Sequence, residues 1–227
     1  MPRKSLFIAA MLAALLAAGP VAAHDGRHPA PVSGPADDYV FALPAPGSYN
    51  LPPIKPAAGG PVLDELGAAH DLADLVRGQL TILAFIYTQC ADVCPTATLR
   101  LAQLHDIAAP EPRIAPNLRL ITMSFDPVHD TPAVMRDHAE QWRGSTDGKP
   151  EWLFLTSADQ ASLAPVLAAY DQSIGPSATA GQLNHVLRVF LIDAKGKIRN
   201  IYSLDFLDPN LVLNDVRTLL MEAGDGS

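Results

Sequence analysis

Only two cysteines occur in the 227 residues, Cys90 and Cys94. A disulfide framework is therefore limited to one bridge around a very small loop, and a four-cysteine zinc site is excluded. Charge is also sparse: 18% of the residues are charged, the formal net charge is −8, and Lys and Arg form no run. No basic patch exists to hold a phosphate backbone, so a nucleic-acid surface is excluded. Beyond an apolar stretch at 6–18, no hydrophobic run approaches the roughly 20 residues that cross a bilayer. There is no Gly-rich phosphate loop and no nucleophile elbow.

What is present begins with a leader. Arg3 and Lys4 precede the apolar run, and Gly19-Pro20 and Val21-Ala22-Ala23 follow it, which is the pattern of a secretory signal over 1–23. Cleavage after Ala23 removes two positive charges and takes the chain from −8 to −10. An uncleaved membrane anchor is the competing reading, opposed by the shortness of the run. The body is expected in an exported, periplasmic-type compartment, where a dithiol needs a reductant to stay reduced. Residues 24–48 read as a Pro/Gly-rich linker leading into an extended arm, with Tyr39, Phe41, Tyr49, Leu51 and Ile54 as candidate anchors. The domain is expected over 49–227.

Within it the segments alternate. A short helical turn at 71–76 precedes a buried strand at 80–87, a turn with both cysteines, and a helix with Leu101, Leu104 and Ala108 on one face. A strand at 118–125 leads to Asp130-Thr131-Pro132, a cap with proline at the first helical position. The helix it opens carries Val134, Met135, His138, Ala139 and Trp142 on one stripe. A strand at 151–156, a helix at 158–170 capped by Ser157, and a long Gly/Ser loop at 171–184 follow. Strands at 186–193 and 197–202, joined through Gly196, and a helix at 209–221 complete the order. Such alternation implies an α/β fold with a mixed central sheet and helices on both faces.

Two thiols three residues apart, where a strand hands over to a helix, can close a disulfide or hold a soft metal, and helix N–H groups favour thiolate. His185, at the end of the long loop, is open to two readings: a hydrogen-bonded structural residue, or a third donor to a trigonal site of the kind that suits copper. Asp92 is expected to disfavour thiolate, or simply to be solvated. Asp126 and Asp130 read as turn and cap residues and Met123 as core. His24 and His28 lie near the expected mature N-terminus. His105, His129 and His138 have no spacing that makes a site with the cysteines.

The segment from Phe85 through Cys90-Ala-Asp-Val-Cys94-Pro95 resembles the CxxxCP motif of the Sco/SenC family. Ser124-Phe-Asp126-Pro127-Val-His-Asp130-Thr131-Pro132, then Asn184-His185 before Val-Leu-Arg-Val-Phe-Leu-Ile-Asp193, and the Gly196 hairpin match that family in order. The resemblance spans about 49–223. It implies a thioredoxin-like fold and a copper chaperone of cytochrome c oxidase assembly, with Cys90, Cys94 and His185 as ligands of Cu(I) or Cu(II). It also implies a copper-receiving partner such as oxidase subunit II. Gln89 and Ala91 depart from the residues commoner in that family, which leaves the ligands intact and bears on loop rigidity and partner choice. The alternative is a thiol–disulfide oxidoreductase in which Cys90 and Cys94 are the catalytic pair, served by a thioredoxin-like reductant. The three residues between the cysteines, against two in thioredoxin-like CxxC proteins, favour the metal.

Overall fold

The computed structural model describes residues 42–176 and 183–225, all within the unit Gly34–Ser227. The expected leader, His24, His28, Tyr39, Phe41 and part of the 171–184 loop lie outside the described residues.

In chain order the first elements are β1 (Lys55–Pro56), β2 (Pro61–Asp64), β3 (Ala69–Asp71) and α1 (Leu72–Leu75). Next come β4 (Leu80–Ile86), α2 (Val93–Ala108), β5 (Leu118–Ser124), α3 (Pro132–Arg143) and β6 (Glu151–Thr156). The last are α4 (Gln160–Ala169), β7 (Ile174–Pro176), β8 (Leu183–His185), β9 (Val189–Ile192), β10 (Lys197–Tyr202) and α5 (Pro209–Asp225). Strands β4, β5 and β6 run parallel at the centre of a sheet ordered β1-β10-β9-β4-β5-β6-β2-β3, with antiparallel strands on both flanks. β4 is buried along its whole length, which is why it reads as a continuous apolar run without alternation. One face is covered by α2, α3 and α5 through Leu101, Met135, Ala139, Val212 and Val216. The other is covered by α1 and α4 through Leu72, Leu163 and Val166. This is the mixed α/β sheet expected.

The differences are local. β1, β2 and β3 lie where loop or a helix start was expected, because short edge strands carry too few residues to show a period. Asp159, not Ser157, caps α4, its carboxylate accepting from Ser162 N at 2.8 Å. The strand expected from 186 begins at Val189; Val186 is 66% exposed, and the residues before it pair in a separate β7–β8 hairpin. In the arm, Tyr49 donates to Asp215 at 2.6 Å and the Leu51 carbonyl accepts from Arg199 Nε at 2.5 Å. Ile54 is held through its backbone, donating to the Ile198 carbonyl at 2.8 Å, and its side chain is exposed.

Asp130 differs most from expectation. Thr131 caps α3, with Pro132 at its first turn, while the Asp130 side chain turns into the protein and is fully buried. Its carboxylate accepts from Thr88 N at 3.0 Å, from the Thr88 hydroxyl, and from Ser124 Oγ at 2.5 Å. One buried charge thus ties the start of the cysteine loop to the end of β5 and the approach to α3. Asp126 keeps its expected turn role, accepting from His129 Nδ1 at 2.7 Å.

His105 belongs to the core. It is 1% exposed, donates through Nε2 to the Pro150 carbonyl at 2.9 Å, and packs on Trp152 with ring centroids 5.2 Å apart. Burial, first among the influences on it, holds its pKa below the ordinary imidazole value.

Two tests follow from these contacts. Replacing Asp130 by Ala leaves the half-buried Thr88 and buried Ser124 donors unpaired and is expected to cost roughly 3 kcal/mol. Thiol-alkylation should accelerate at Cys90 as the loop loosens; an unchanged melting temperature together with unchanged thiol reactivity would contradict this. For His105 the unfolded chain takes up a proton at higher pH than the native state does. Its contribution is therefore constant above the ordinary imidazole pKa and is lost as pH falls through that value. Melts of the metal-free protein should decline from pH 7.5 to pH 5 (roughly the imidazole window), and His105→Phe should flatten part of that slope. An identical slope in the variant would assign the decline elsewhere.

Candidate metal centre

Both cysteines carry free thiols. Cys90 is half-buried in the loop after β4, and Cys94 is 3% exposed in the first turn of α2. Asp92, at the N-cap of α2, makes no side-chain capping bond; the Cys90 sulfur instead accepts from the Cys94 N–H at 3.4 Å. The helix therefore presents a donor to Cys90, as expected of a thiol at a helix start. Cys94 behaves oppositely. Burial above all, then Cys90 and exposed Asp92, pushes its thiol up, and the Tyr87 backbone N–H only partly offsets this. Here desolvation outweighs the helix terminus and favours the protonated thiol at Cys94.

Tyr87, the residue after β4, links the thiols to the hairpin. Its hydroxyl accepts from Leu183 N at 3.1 Å and lies beside Cys90 and Cys94, which together with burial raise its pKa. Its ring stands 5.1 Å from that of Phe125, and Phe125 stands 4.7 Å from the ring of His185. His185 ends β8. Its Nε2 is buried without a hydrogen-bond partner, and burial, with help from the Arg188 charge, pushes its pKa down to about 4. A neutral imidazole with a bare nitrogen costs free energy unless something fills that position, about 1–3 kcal/mol for an unsatisfied polar atom. The structure thus brings His185 to the neighbourhood of the cysteines across two aromatic rings. Among the described residues, however, no three His, Cys, Asp or Glu side chains already stand together as a metal-holding group.

Met123 is fully buried core, as expected. His129 is paired with Asp126 on the surface. His138 is the residue that sequence spacing missed: it lines a cleft of about 230 Å³ together with Cys90, Cys94 and Trp142. Its helical position relative to Met135 and Ala139 gave the face it occupies. Nothing in its distance along the chain from Cys90 showed that α3 packs against the cysteine turn.

A protein-family model described as SCO1/SenC matches residues 62–221. The cattle mitochondrial protein SCO2 homolog is 31% identical over 147 residues, which are 63% of this chain and 52% of that protein. A SCO2-like protein of Rickettsia prowazekii is 27% identical over 115 residues, 50% of this chain and 51% of that one. The matches thus span only about half the length of these relatives. Among solved structures, yeast Sco1 with copper bound covers 72% of this chain and 90% of its own at 18% identity and a TM-score of 0.58. BsSco, a member of the Sco family of cytochrome c oxidase assembly proteins in which a disulfide switch was identified, covers 74% and 95% at 22% identity and a TM-score of 0.61. At such identities the likeness speaks to the fold. With its sheet, its helices and most of its length matched, the chain belongs to the SCO1/SenC family.

Proposed function

We propose that the protein is a copper chaperone: it takes up Cu(I) or Cu(II) through Cys90, Cys94 and His185 and delivers it to a respiratory copper centre, with a copper-receiving oxidase subunit as recipient. The observation that carries this reading is the buried, partnerless Nε2 of His185, linked through the rings of Phe125 and Tyr87 to the free dithiol. The donor set fits the cargo. Thiolate and imidazole are the ligands copper prefers, and two sulfurs with one nitrogen leave the undercoordinated site that handing over by ligand exchange requires. His185, already neutral, needs no proton removed, whereas Cys94 must lose one. Phe125 packs on the imidazole ring, and Asp130 holds the loop on which Cys90 sits. That the family includes a copper-bound yeast member supports the assignment. Export through the 1–23 leader fits a periplasmic place of work; among the described residues no helix is long and apolar enough to cross a membrane.

A second reading rests on the Cys94 N–H···Sγ Cys90 contact, which brings the Cys90 sulfur to the first turn of α2, where Cys94 sits, and suits a reversible disulfide. A thiolate at Cys90 attacks a partner's disulfide and releases one partner thiolate; Cys94, having given up its proton, then attacks the Cys90 sulfur of the mixed disulfide and displaces the second partner thiolate, leaving the pair oxidised and the partner reduced. A thioredoxin-like reductant would then restore it. Copper handling and this redox step are alternating states of one pair, since the disulfide has no thiolate to offer.

One equivalent of Cu(II) added to the reduced protein should produce a thiolate-to-copper charge-transfer band, which Cys90→Ser abolishes and His185→Ala shifts or weakens. A band indifferent to His185→Ala would remove the imidazole from the site. Disulfide-reductase activity that survives His185→Ala would favour the second reading. Proton release from Cys94 makes loading pH-dependent: Cu(I) affinity, measured by competition with a chromophoric chelator, should rise with pH above neutrality by about tenfold per pH unit for one proton displaced. An affinity flat from pH 6.5 to 8.5 (a window of about 2 units) would show that Cys94 is not a ligand.

A further inference from the structure

The cleft beside the cysteines holds an imidazole that the proposed copper site does not use. His138 projects from α3 into the space lined by Cys90, Cys94, Thr98, Gln141 and Trp142, and its Nε2 is buried with no hydrogen-bond partner. Trp142 and Phe154 flank its ring at 6.2 and 5.8 Å between centroids, which fixes the ring and leaves the nitrogen bare. A residue kept only for packing would do better as phenylalanine, because a buried nitrogen without a partner is a net cost. His185 does not line this cleft. It belongs to the hairpin whose Leu183 and Ile174 pack with α4 on one face of the sheet, whereas Met135 and Ala139 of α3 pack on the other. The two imidazoles therefore approach the dithiol from opposite sides.

We propose that His138 is a second imidazole position for the metal carried by the Cys90–Cys94 pair: a soft monovalent cation held by both sulfurs takes its third ligand from His185 on the hairpin side or from His138 on the cleft side. This rests on the copper reading above. The exchange alters neither charge nor oxidation state, because one neutral imidazole replaces another. A cleft of about 230 Å³ has room for an ion and for the small side-chain movements that close the coordination. The consequence is directional. When the ion leans toward His138, the hairpin side opens to an incoming thiolate or imidazole of a recipient, and the ion is never held by the two sulfurs alone.

The test uses the reduced protein labelled with ¹⁵N at histidine, with one equivalent of Ag(I) as a redox-silent soft cation. Long-range ¹H–¹⁵N spectra of the imidazoles are recorded for the native sequence and for His185→Ala. The His138 Nε2 resonance should shift in the His185→Ala protein on metal addition. Cu(I) affinity should fall by about tenfold in His185→Ala, and by about tenfold again when His138→Gln is added, the scale on which a supporting group at a metal site acts. His138→Phe, which fills the same aromatic pocket, serves as the folded control should His138→Gln lower the melting temperature. A His138 resonance unmoved in both proteins while the thiols bind the ion, or equal affinity with and without His138 in the His185→Ala background, would overturn the proposal and assign the nitrogen to bound water. Binding unaffected by Cys90→Ser would instead overturn the copper reading, and this one with it. That outcome is told apart by the missing thiolate-to-metal absorption.

Discussion

A single buried carboxylate organises the working end of this protein. Asp130 is fully buried, and its oxygens gather the amide and hydroxyl of Thr88 and the hydroxyl of Ser124. A carboxylate in that position is tolerable only because both oxygens are met by donors, and the same donors become liabilities if it is removed. Through this one group the cysteine loop, the end of β5 and the start of α3 become a single rigid unit.

On that frame the chemistry follows from desolvation. Cys94 is pushed toward the thiol by burial despite its place in the first turn of α2, and His185 is held neutral by the same cause. On the proposed copper reading, a site with one reluctant thiol and one ready imidazole would bind a soft cation at the expense of a proton and return it when a better ligand arrives. The rings of Tyr87, Phe125 and His185 pack in series, and Tyr87 in turn holds the hairpin through Leu183. The dithiol remains accessible to oxidation through half-buried Cys90, so on the proposed reading metal carriage and disulfide formation would compete for the same two atoms.

Much of this was legible from residues alone, for physical reasons. β4 was readable because a buried parallel strand is a near-unbroken apolar run, and β5 and β6 as short segments rich in apolar and β-branched residues; the mixed α/β architecture followed from their alternation with helices, and its thioredoxin-like form from the resemblance. Pro132 and Thr131 announced α3 by capping chemistry. The short strands β1, β2 and β3 were invisible, since two to four residues carry no period. Asp130 read as a cap because Asp before Thr-Pro favours one; only the fold shows that its neighbour takes that task and frees it to turn inward. His185 was singled out by its place at the end of the long loop and by resemblance. His138 was passed over because proximity between α3 and the cysteine turn is a product of sheet order, which spacing along the chain does not encode.

The central claim is that two sulfurs and one imidazole nitrogen of this chain hold copper. X-ray absorption at the copper edge, on the reduced protein loaded with one equivalent of Cu(I), reads that coordination directly. The account predicts two sulfur scatterers and one imidazole, with the imidazole signal surviving dilution of the protein. A sphere built of oxygen and nitrogen alone, or of sulfur with no imidazole, would contradict it.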